Sequence, residues 1–336
     1  MSSFKDKTII LAVPNHFGLP EVVTRNLEFL GFKVLLIPQN HSRIKLSVSK
    51  EITHFSKKIF NNDSTFKANY CAKQNESAQI AFLEKVEKAH YALIIRPDLL
   101  SKTVLKAITA KSNFSAAYQW DGMSRFPLAK STVPYFDEFF VFDRNDVANL
   151  PGTKAIDNFY FDYLPESDGI KQDVFFVGTF MKDRIQELAN LSLRLKSLNL
   201  AININVIYNK ERHIKNYQNS PIHFRREAMS FEENLKNTKA SSIILDFQNS
   251  FHKGLSLRTF EAIGYGKKLI TNNPLVKNYD FYNPQNIFII ENNLDLLPAF
   301  LEMKYVDLPQ ELVSKYSFSA WVQFVFQNAV SKQNYS

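Results

Sequence analysis

Short apolar runs and helical segments alternate along almost the whole of this 336-residue chain. In the first half the apolar runs typical of buried strands are 8–13, 34–37, 91–95, 115–119 and 139–142. In the second half the strands are expected at 174–177, 202–206, 243–245 and 268–271, with helices at 184–198, 231–237 and 256–265. Alternating strands and helices predict a parallel sheet with helices on both faces. Two such series predict an α/β fold with two Rossmann-like domains that face each other across a cleft.

The chain also shows where one series ends and the next begins. An acidic, glycine-containing stretch at 165–169 predicts a linker between the two series. We therefore expect an N-terminal domain at 1–165, a C-terminal domain at 166–315, and a last helix within 316–336 that packs back. That helix places Trp321, Phe324 and Val325 at helical spacing, which favours a core-covering helix over a membrane-surface helix.

The region 42–77 cannot be assigned to a strand or a helix of either series. It is rich in Lys, Asn and Ser and has weak periodicity. We expect a variable excursion there, close to the site where an acceptor would bind.

Composition narrows the classes of partner. The single cysteine, Cys71, has no partner for a disulfide and no Cys or His at zinc spacing, so we expect a reducing compartment and no structural metal. The apolar run 9–13 is too short for a signal peptide or a membrane span, which predicts a cytoplasmic protein. The formal charge of +8 and pI near 9.2 indicate an anionic partner. The lysines are spread without an RNA-binding signature, so nucleic acid is not expected.

The segment 243–272 carries the most chemical information. A strand ends, a loop with Lys253 and Gly254 follows, and a helix begins at Ser256. Unpaired amides at a helix start and the helix dipole both favour an anion, and Gly254 lets a ligand approach the backbone closely. We therefore expect the amides from Gly254 through Leu255 to Leu257 to form an anion site.

Arg258 and Glu261 extend this site along the helix. Because they are three residues apart, they share one helical face, where a guanidinium can meet a diphosphate and a carboxylate can accept from ribose hydroxyls. The alternative is a purely structural helix start, with Ser256 as N-cap and an ordinary surface ion pair between Arg258 and Glu261. The residues alone leave both interpretations open.

The same segment resembles the C-terminal signature of a family of bacterial lipopolysaccharide and capsule glycosyltransferases of the GT-B type. In that family a Gly-Leu-Thr-x-Arg-x-x-Glu-like helix start precedes Gly-Lys-Lys-Leu-Ile-Thr, as at 254–261 and 266–271 here. Further similar stretches are 118–125, 139–146, 177–180 with 183–184, and 278–287. The resemblance covers most of the chain from Tyr91 onwards.

The resemblance implies a GT-B fold and transfer of a sugar from a nucleotide-sugar donor to a growing cell-surface glycan. The donor nucleotide and diphosphate would then be bound by Gly178, Lys182, Arg184, Lys253, Gly254, Leu255, Ser256, Arg258 and Glu261. Two positions depart from the family. Lys253 stands where retaining enzymes often carry an acidic residue eight positions before the equivalent of Glu261, so the stereochemical outcome stays open. Ser256 stands where the family often has Thr, which keeps a capping hydroxyl.

The mechanism that these residues suggest needs no metal or other cofactor, with the nucleotide-sugar as co-substrate. The chain has no Asp-x-Asp tripeptide, so protein groups would stabilise the leaving group: the helix-start amides, Arg258, and one of Lys253, Lys182 or Arg184. The candidates for removing the acceptor's proton are Asp121 and His16. Each has a plainer alternative, since His16 is a loop histidine and Asp121 precedes Gly122 and could simply form a turn.

Three other functions remain to be weighed. A nucleotide-sugar epimerase or phosphorylase would use the same two-domain frame, and a non-catalytic module would bind an anionic glycan or lipid headgroup. A dinucleotide oxidoreductase is disfavoured because neither series carries Gly-x-Gly-x-x-Gly after a strand. For a glycosyltransferase, the positive charge suits a lipid-linked or free glycan acceptor and peripheral contact with the anionic inner face of the cytoplasmic membrane.

Overall fold

The computed structural model describes residues 4–39, 66–123, 126–164, 169–248, 254–290 and 294–329, with the backbone alone described at 66–71. Contacts between Cα atoms divide the chain into two units. Unit 1 comprises Met1–Ile156 and Val325–Ser336, and unit 2 comprises Asp157–Phe324. Residues 165–168 of the expected linker lie outside the described residues, and the domain boundaries at 165 and 315 stay predictions.

Unit 1 is built on a parallel sheet whose six strands follow the order β2-β1-β3-β4-β5-β6 in the described residues. The strands are β1 (Thr8–Ala12), β2 (Lys33–Leu36), β3 (Ala89–Ile95), β4 (Ser112–Gln119), β5 (Glu138–Val141) and β6 (Thr153–Ala155). The α-helices are α1 (Leu19–Phe29), α2 (Phe66–Glu84), α3 (Lys102–Ala110) and α4 (Arg144–Val147), with short 3-10 helices at Pro97–Leu99 and Pro127–Tyr135.

Unit 2 is built on a second parallel sheet with the order β12-β11-β10-β7-β8-β9 in the described residues. The strands are β7 (Gln172–Thr179), β8 (Ile202–Ile207), β9 (His223–Arg225), β10 (Ser241–Asp246), β11 (Lys268–Thr271) and β12 (Ile287–Ile289). The α-helices are α5 (Ile185–Ser197), α6 (Phe231–Lys239), α7 (Leu257–Gly264), α8 (Leu297–Glu302), α9 (Gln310–Lys315) and α10 (Phe318–Val325). The 3-10 helices are Glu211–His213, Lys215–Tyr217 and Pro274–Asn278. Counted within this unit, the order is the Rossmann order 3-2-1-4-5-6.

The first βα unit shows how the sequence sets the elements. Gly18 adopts φ 86° at the N-cap of α1, and Pro20 occupies the first helical turn, where its missing N–H costs nothing. Gly31 follows the helix end with φ 97°, a left-handed conformation that glycine adopts without strain. The expected α/β fold with two Rossmann-like sheets is confirmed.

Several elements were not expected from the sequence, among them three edge strands and the long helix α2. β6, β9 and β12 are each three residues long. β6 and β9 carry no apolar run that would distinguish them from a loop, whereas β12 (Ile287–Ile289) is apolar and was overlooked. Helix α2 begins at Phe66, inside the region 42–77 where we expected an irregular excursion. Residues 42–65 of that region lie outside the described part of the chain.

A cluster of aromatic side chains fills one side of the core of unit 1. Phe326 is fully buried, with its ring centroid 4.8 Å from that of Tyr91, 6.3 Å from Phe4 and 6.4 Å from Phe32. Burying one such aromatic ring contributes about 1.5–3 kcal/mol of transfer free energy. The segment after α10 is therefore part of the core of unit 1.

The last helix is buried on one side, as expected for a core-covering helix. The ring of Trp321, in unit 2, packs against that of Phe159, with centroids 5.0 Å apart. Val325, the first residue of the C-terminal segment of unit 1, is also buried. Phe324 differs, because 43% of it is exposed. We expected Phe324 on the buried face of the helix together with Trp321 and Val325, and for Phe324 this prediction was wrong. In the described part of the chain, no helix has the length and apolar character needed to cross a bilayer.

Lys267 and Lys268 serve the ends of two helices. The Lys267 ammonium donates to the carbonyl of Lys239 at 2.7 Å, at the last residue of α6. The Lys268 ammonium donates to the carbonyls of Phe300 at 2.7 Å and of Leu301 at 3.2 Å, and also to that of Met303, at the end of α8. The last carbonyls of a helix have no partner within it, so these lysines supply the missing donors. This lysine pair therefore has a structural role.

Candidate functional site

The sheet of unit 2 reverses its strand order between β7 and β10. In open α/β sheets, ligands bind beyond the carboxyl ends of the strands at such a switch point. Here β7 ends with Gly178 and Thr179, β10 ends with Asp246, and α7 begins at Leu257. The helix start that the sequence singled out therefore follows the strand at the switch point.

Asp246 organises this helix start. Its side chain is buried and accepts from the hydroxyl of Ser256 at 2.8 Å and from that of Thr259 at 3.3 Å. Arg258 Nη1 lies 3.5 Å from its Oδ1. Ser256 occupies the N-cap position, but its side chain makes no capping bond to a helix amide in the described structure. Its hydroxyl instead joins the loop to the strand end, and sequence reasoning gave Asp246 no role.

Two arginines flank the ring of Phe176. The Cζ of Arg258 lies 5.1 Å from the ring centroid and that of Arg184 lies 5.7 Å from it. The two guanidiniums are close enough that the charge of Arg258 contributes to lowering the pKa of Arg184. Because two like charges held together attract a counter-charge, this pair favours an anionic ligand.

The two guanidiniums differ in exposure. Arg184 is only 8% exposed and donates to the carbonyls of Thr179 at 2.7 Å and Phe247 at 3.3 Å. Burial, and then the charge of Arg258, lower the pKa of Arg184 to about 10, so it stays protonated at neutral pH. Arg258 donates to the carbonyl of Val177, and 26% of its side chain is exposed. Arg258 is thus the member of the pair that a solvent-borne ligand can reach.

Gly178 makes room for the buried arginine. A Cβ atom on this residue would lie 2.9 Å from Arg184 Nη2 and 3.0 Å from the ring of Phe176. Such contacts are closer than packing allows, so a side chain here would displace the guanidinium. The absence of a side chain at Gly178 therefore lets the guanidinium of Arg184 lie beside the ring of Phe176.

Glu261 lies on the buried side of α7 and does not form a surface ion pair. It is 2% exposed, and its Oε2 has no hydrogen-bond partner among the described residues. Burial raises the pKa of Glu261 to about 7, an effect opposed by the charge of Arg258 and reinforced by that of Asp246. The surface ion pair considered above is therefore wrong, while a contact from Glu261 to a ribose stays a prediction.

The remaining expected donor residues are spread around this centre. The carbonyl of Gly254 accepts from Asn273 at 3.3 Å, and that of the buried Leu255 accepts from Asn158 at 2.9 Å. Lys182 is exposed. Burial, followed by the charges of Arg212, Lys182 and Lys210, lowers the pKa of His213, so Lys182 lies near His213. Lys253 lies outside the described residues.

The sheet of unit 1 reverses its strand order between β1 and β3. The two candidate bases both follow the carboxyl ends of strands of this sheet. His16 lies in the loop after β1 and is exposed, with its ring 6.4 Å from that of Trp120 at an interplanar angle of 20°. Asp121 follows β4 and accepts from Arg96 Nη1, and its side chain is 19% exposed. The structure thus places the ring of Trp120, the residue before Asp121, beside that of His16.

Arg96 was not identified from the sequence. It follows β3 directly, and its Nε and Nη2 donate to the two carboxylate oxygens of Asp98, each at 2.7 Å. Its guanidinium also covers the ring of Phe126, with Cζ 3.8 Å from the ring centroid. The backbone of Arg96 has φ 63° and ψ 64°, a left-handed conformation that costs a non-glycine residue about 1–3 kcal/mol. The available signal was a cation immediately after a buried strand, before Pro-Asp.

Within the described residues, no three His, Cys, Asp or Glu side chains are grouped so as to hold a metal ion. That no metal is needed stays a prediction, which rests on the missing Asp-x-Asp tripeptide.

No family model and no curated protein matches this chain. Solved structures match it over nearly its whole length. A UDP-forming α,α-trehalose-phosphate synthase from Burkholderia xenovorans has a TM-score of 0.54 at 10% identity, covering 97% of this chain and 99% of that one. Sucrose-phosphate synthase from Thermosynechococcus elongatus has a TM-score of 0.53 at 11% identity, covering 98% and 97%. AviGT4, a glycosyltransferase involved in avilamycin A biosynthesis, has a TM-score of 0.53 at 10% identity, covering 97% of each chain. At these identities the likenesses establish a shared fold, and the chain has the two-sheet GT-B architecture of these proteins.

Proposed function

We propose that this protein is a glycosyltransferase that moves a sugar from a nucleotide-sugar donor to a glycan acceptor. The observation that carries the proposal is the arginine pair at the switch point of unit 2, beside the start of α7. Both the position and the charge suit the diphosphate of a nucleotide-sugar. The structural neighbours support the same class, since their names include two sugar-phosphate synthases and a glycosyltransferase.

In the donor half of the reaction, the departing nucleoside diphosphate gains negative charge. Arg258 would contact the diphosphate directly, and the buried Arg184 would add positive potential from behind the ring of Phe176. Asp246 holds the helix start in place through Ser256 and Arg258. Stabilisation by arginines and helix amides would replace the metal that other glycosyltransferases use. Glu261 would accept a hydrogen bond from the ribose.

In the acceptor half, a hydroxyl group must lose its proton as it attacks the sugar. Asp121 is the stronger candidate, because the ion pair with Arg96 fixes its position. His16 is the second candidate and lies close to Trp120. Which of the two acts, and whether the configuration of the sugar is inverted, is decided by the pH dependence and the stereochemistry of the product.

We further propose that the acceptor is a bacterial cell-surface glycan, lipopolysaccharide or capsule, free or linked to lipid. The support is the resemblance at 254–271 and 278–287, together with a formal charge of +8 that suits work beside anionic headgroups. The protein would then contact the inner face of the membrane peripherally.

The first experiment is calorimetric titration of UDP, GDP, ADP and CMP, and of their common sugar conjugates, into the full chain without divalent metal. Arg258→Ala should reduce the affinity for the preferred nucleotide by at least about tenfold, since a hydrogen-bonded charge pair contributes about 1.5–3 kcal/mol. Arg258→Lys should recover only part of it, because a lysine lacks the planar fork of donors. Arg194→Ala, in the last turn of α5, is the matched control.

The outcomes separate the candidate functions. Binding that Arg258→Ala weakens and Arg194→Ala does not would support the donor site. Interconversion of the free donor without an acceptor would favour an epimerase. If no nucleotide binds, the helix start is structural and a non-catalytic glycan- or headgroup-binding module becomes the better explanation.

A further inference from the structure

Unit 1 contains a cleft with a mixed lining, to which none of the donor-binding residues contributes. It has a volume of about 430 Å³ and lies between α2, the start of α3 and the 3-10 helix Pro127–Tyr135. This volume is within the range of small-molecule sites, about 300–1,000 Å³. Asp98 contributes to its lining, and the side chain of Asp98 is 3% exposed.

The cleft presents hydrogen-bond acceptors. Asp98 uses one lone pair on each carboxylate oxygen for Arg96 and keeps the others. The Ser131 hydroxyl donates to the carbonyl of Leu128 at 2.9 Å, and the Thr132 hydroxyl donates to that of Ala129 at 2.7 Å. Because each hydroxyl has one proton, both of these oxygens can only accept from a ligand. Three lining groups can therefore accept further bonds from O–H or N–H donors of a ligand.

This pattern discriminates between classes of ligand. A phosphate or carboxylate would place its own lone pairs against Asp98, Ser131 and Thr132, which is unfavourable. Lys73 and Lys102 also line the cleft and can donate to ring or hydroxyl oxygens. A sugar residue carries several hydroxyl donors and several acceptor oxygens, and it is neutral.

We propose that this cleft binds a sugar residue, with the hydroxyl groups of the sugar donating to Asp98, Ser131 and Thr132. Binding of a sugar does not depend on the proposed transfer reaction. If that function holds, the bound residue belongs to the acceptor, a step that rests on the proposed function. Arg96 then links the cleft to the candidate base, since it donates to both Asp98 and Asp121.

The test uses the full chain and saturation-transfer NMR with methyl glycosides of glucose, galactose, mannose, rhamnose and N-acetylglucosamine. Ser131→Ala and Thr132→Val each remove an acceptor oxygen with little change in volume. The two together should weaken the preferred glycoside by about tenfold, the loss expected from two neutral hydrogen bonds. Ser197→Ala is the matched control, because that exposed hydroxyl also donates to a helix carbonyl, that of Arg194, at 2.7 Å.

Two further measurements keep the result decisive. Ser131→Ala alone alters an exposed side chain, so it reports on binding even if the double variant does not fold. Nucleotide affinity measured on the same variants should be unchanged, which separates the cleft from the donor site. Binding of inorganic phosphate in competition with the glycoside, equal affinity in wild type and variants, or no glycoside binding at all would overturn the proposal, whatever the nucleotide result.

Discussion

The buried carboxyl of Glu261 makes the stability of unit 2 depend on pH. Its ordinary pKa of 4.5 rises to about 7 in the folded chain because burial disfavours the charged form. Between these two values the folded state holds a proton that the unfolded state has lost. Stability therefore falls as pH rises through this window and stays lowered above it.

The size of the effect follows from the two pKa values. A difference between 4.5 and about 7, at about 1.36 kcal/mol for each pH unit, corresponds to about 3 kcal/mol. Glu261→Gln keeps the shape of the neutral acid but cannot ionise. When the pH is raised from about 4 to about 8, the free energy of unfolding of the variant should rise by about 3 kcal/mol relative to that of wild type. Any destabilisation that the amide itself causes is the same at both pH values and does not affect this difference.

Tryptophan fluorescence can follow unit 2 alone. The chain has two tryptophans, and only Trp321 lies in unit 2. In a Trp120→Phe background, urea unfolding monitored through Trp321 gives the free energy of unfolding of the unit that contains Glu261. Direct titration of the Glu261 carboxyl by ¹³C NMR supplies an independent pKa. If the difference between Glu261→Gln and its parent is the same at both pH values, Glu261 is not the buried acid that we describe.

Three further predictions concern packing and helix ends. Gly264→Ala would place a Cβ 2.1 Å from the ring of Tyr160 and should cost at least about 3 kcal/mol in urea unfolding; Tyr160→Leu in the same chain should recover part of this loss, and no recovery would contradict the clash. Lys268→Met should cost about 2 kcal/mol, because buried carbonyls lose their donor, whereas the exposed Lys304→Met should cost almost nothing; equal midpoints would refute the capping role. Gly178→Ala should weaken nucleotide binding about tenfold by displacing the neighbouring guanidinium, and calorimetry that finds unchanged affinity would show that this arginine has no part in the site.

The sheets could be predicted because their central strands are buried on both faces. Runs such as 91–95 and 243–245 are continuous and apolar, which a solvent-exposed strand is not. The edge strand β9, by contrast, consists of His223, Phe224 and Arg225, and its identity depends on the pairing with β8. Pairing is a tertiary contact, so local composition could not reveal it.

The position of the helix start was predicted, but the contacts around it were not. The helix start near Ser256 and the importance of Arg258 followed from local patterns. That Asp246 binds Ser256, and that Arg184 reaches the same aromatic ring as Arg258, depends on which strands are neighbours in the sheet. Arg96 was missed for a similar reason, because its partners Asp98 and Asp121 meet only when β3 and β4 lie side by side.

The core of unit 1 includes Phe326, which is separated in sequence from the rest of that unit by the whole of unit 2. A ribosome delivers residues in order, so unit 2 is complete and continuous before Phe326 has been made. Unit 2 itself extends to Phe324, so both units receive their last residues at almost the same point of synthesis, and the aromatic surface around Tyr91 stays uncovered until then. The amino-terminal unit, although its synthesis begins first, would complete its core only when the segment after α10 has been made.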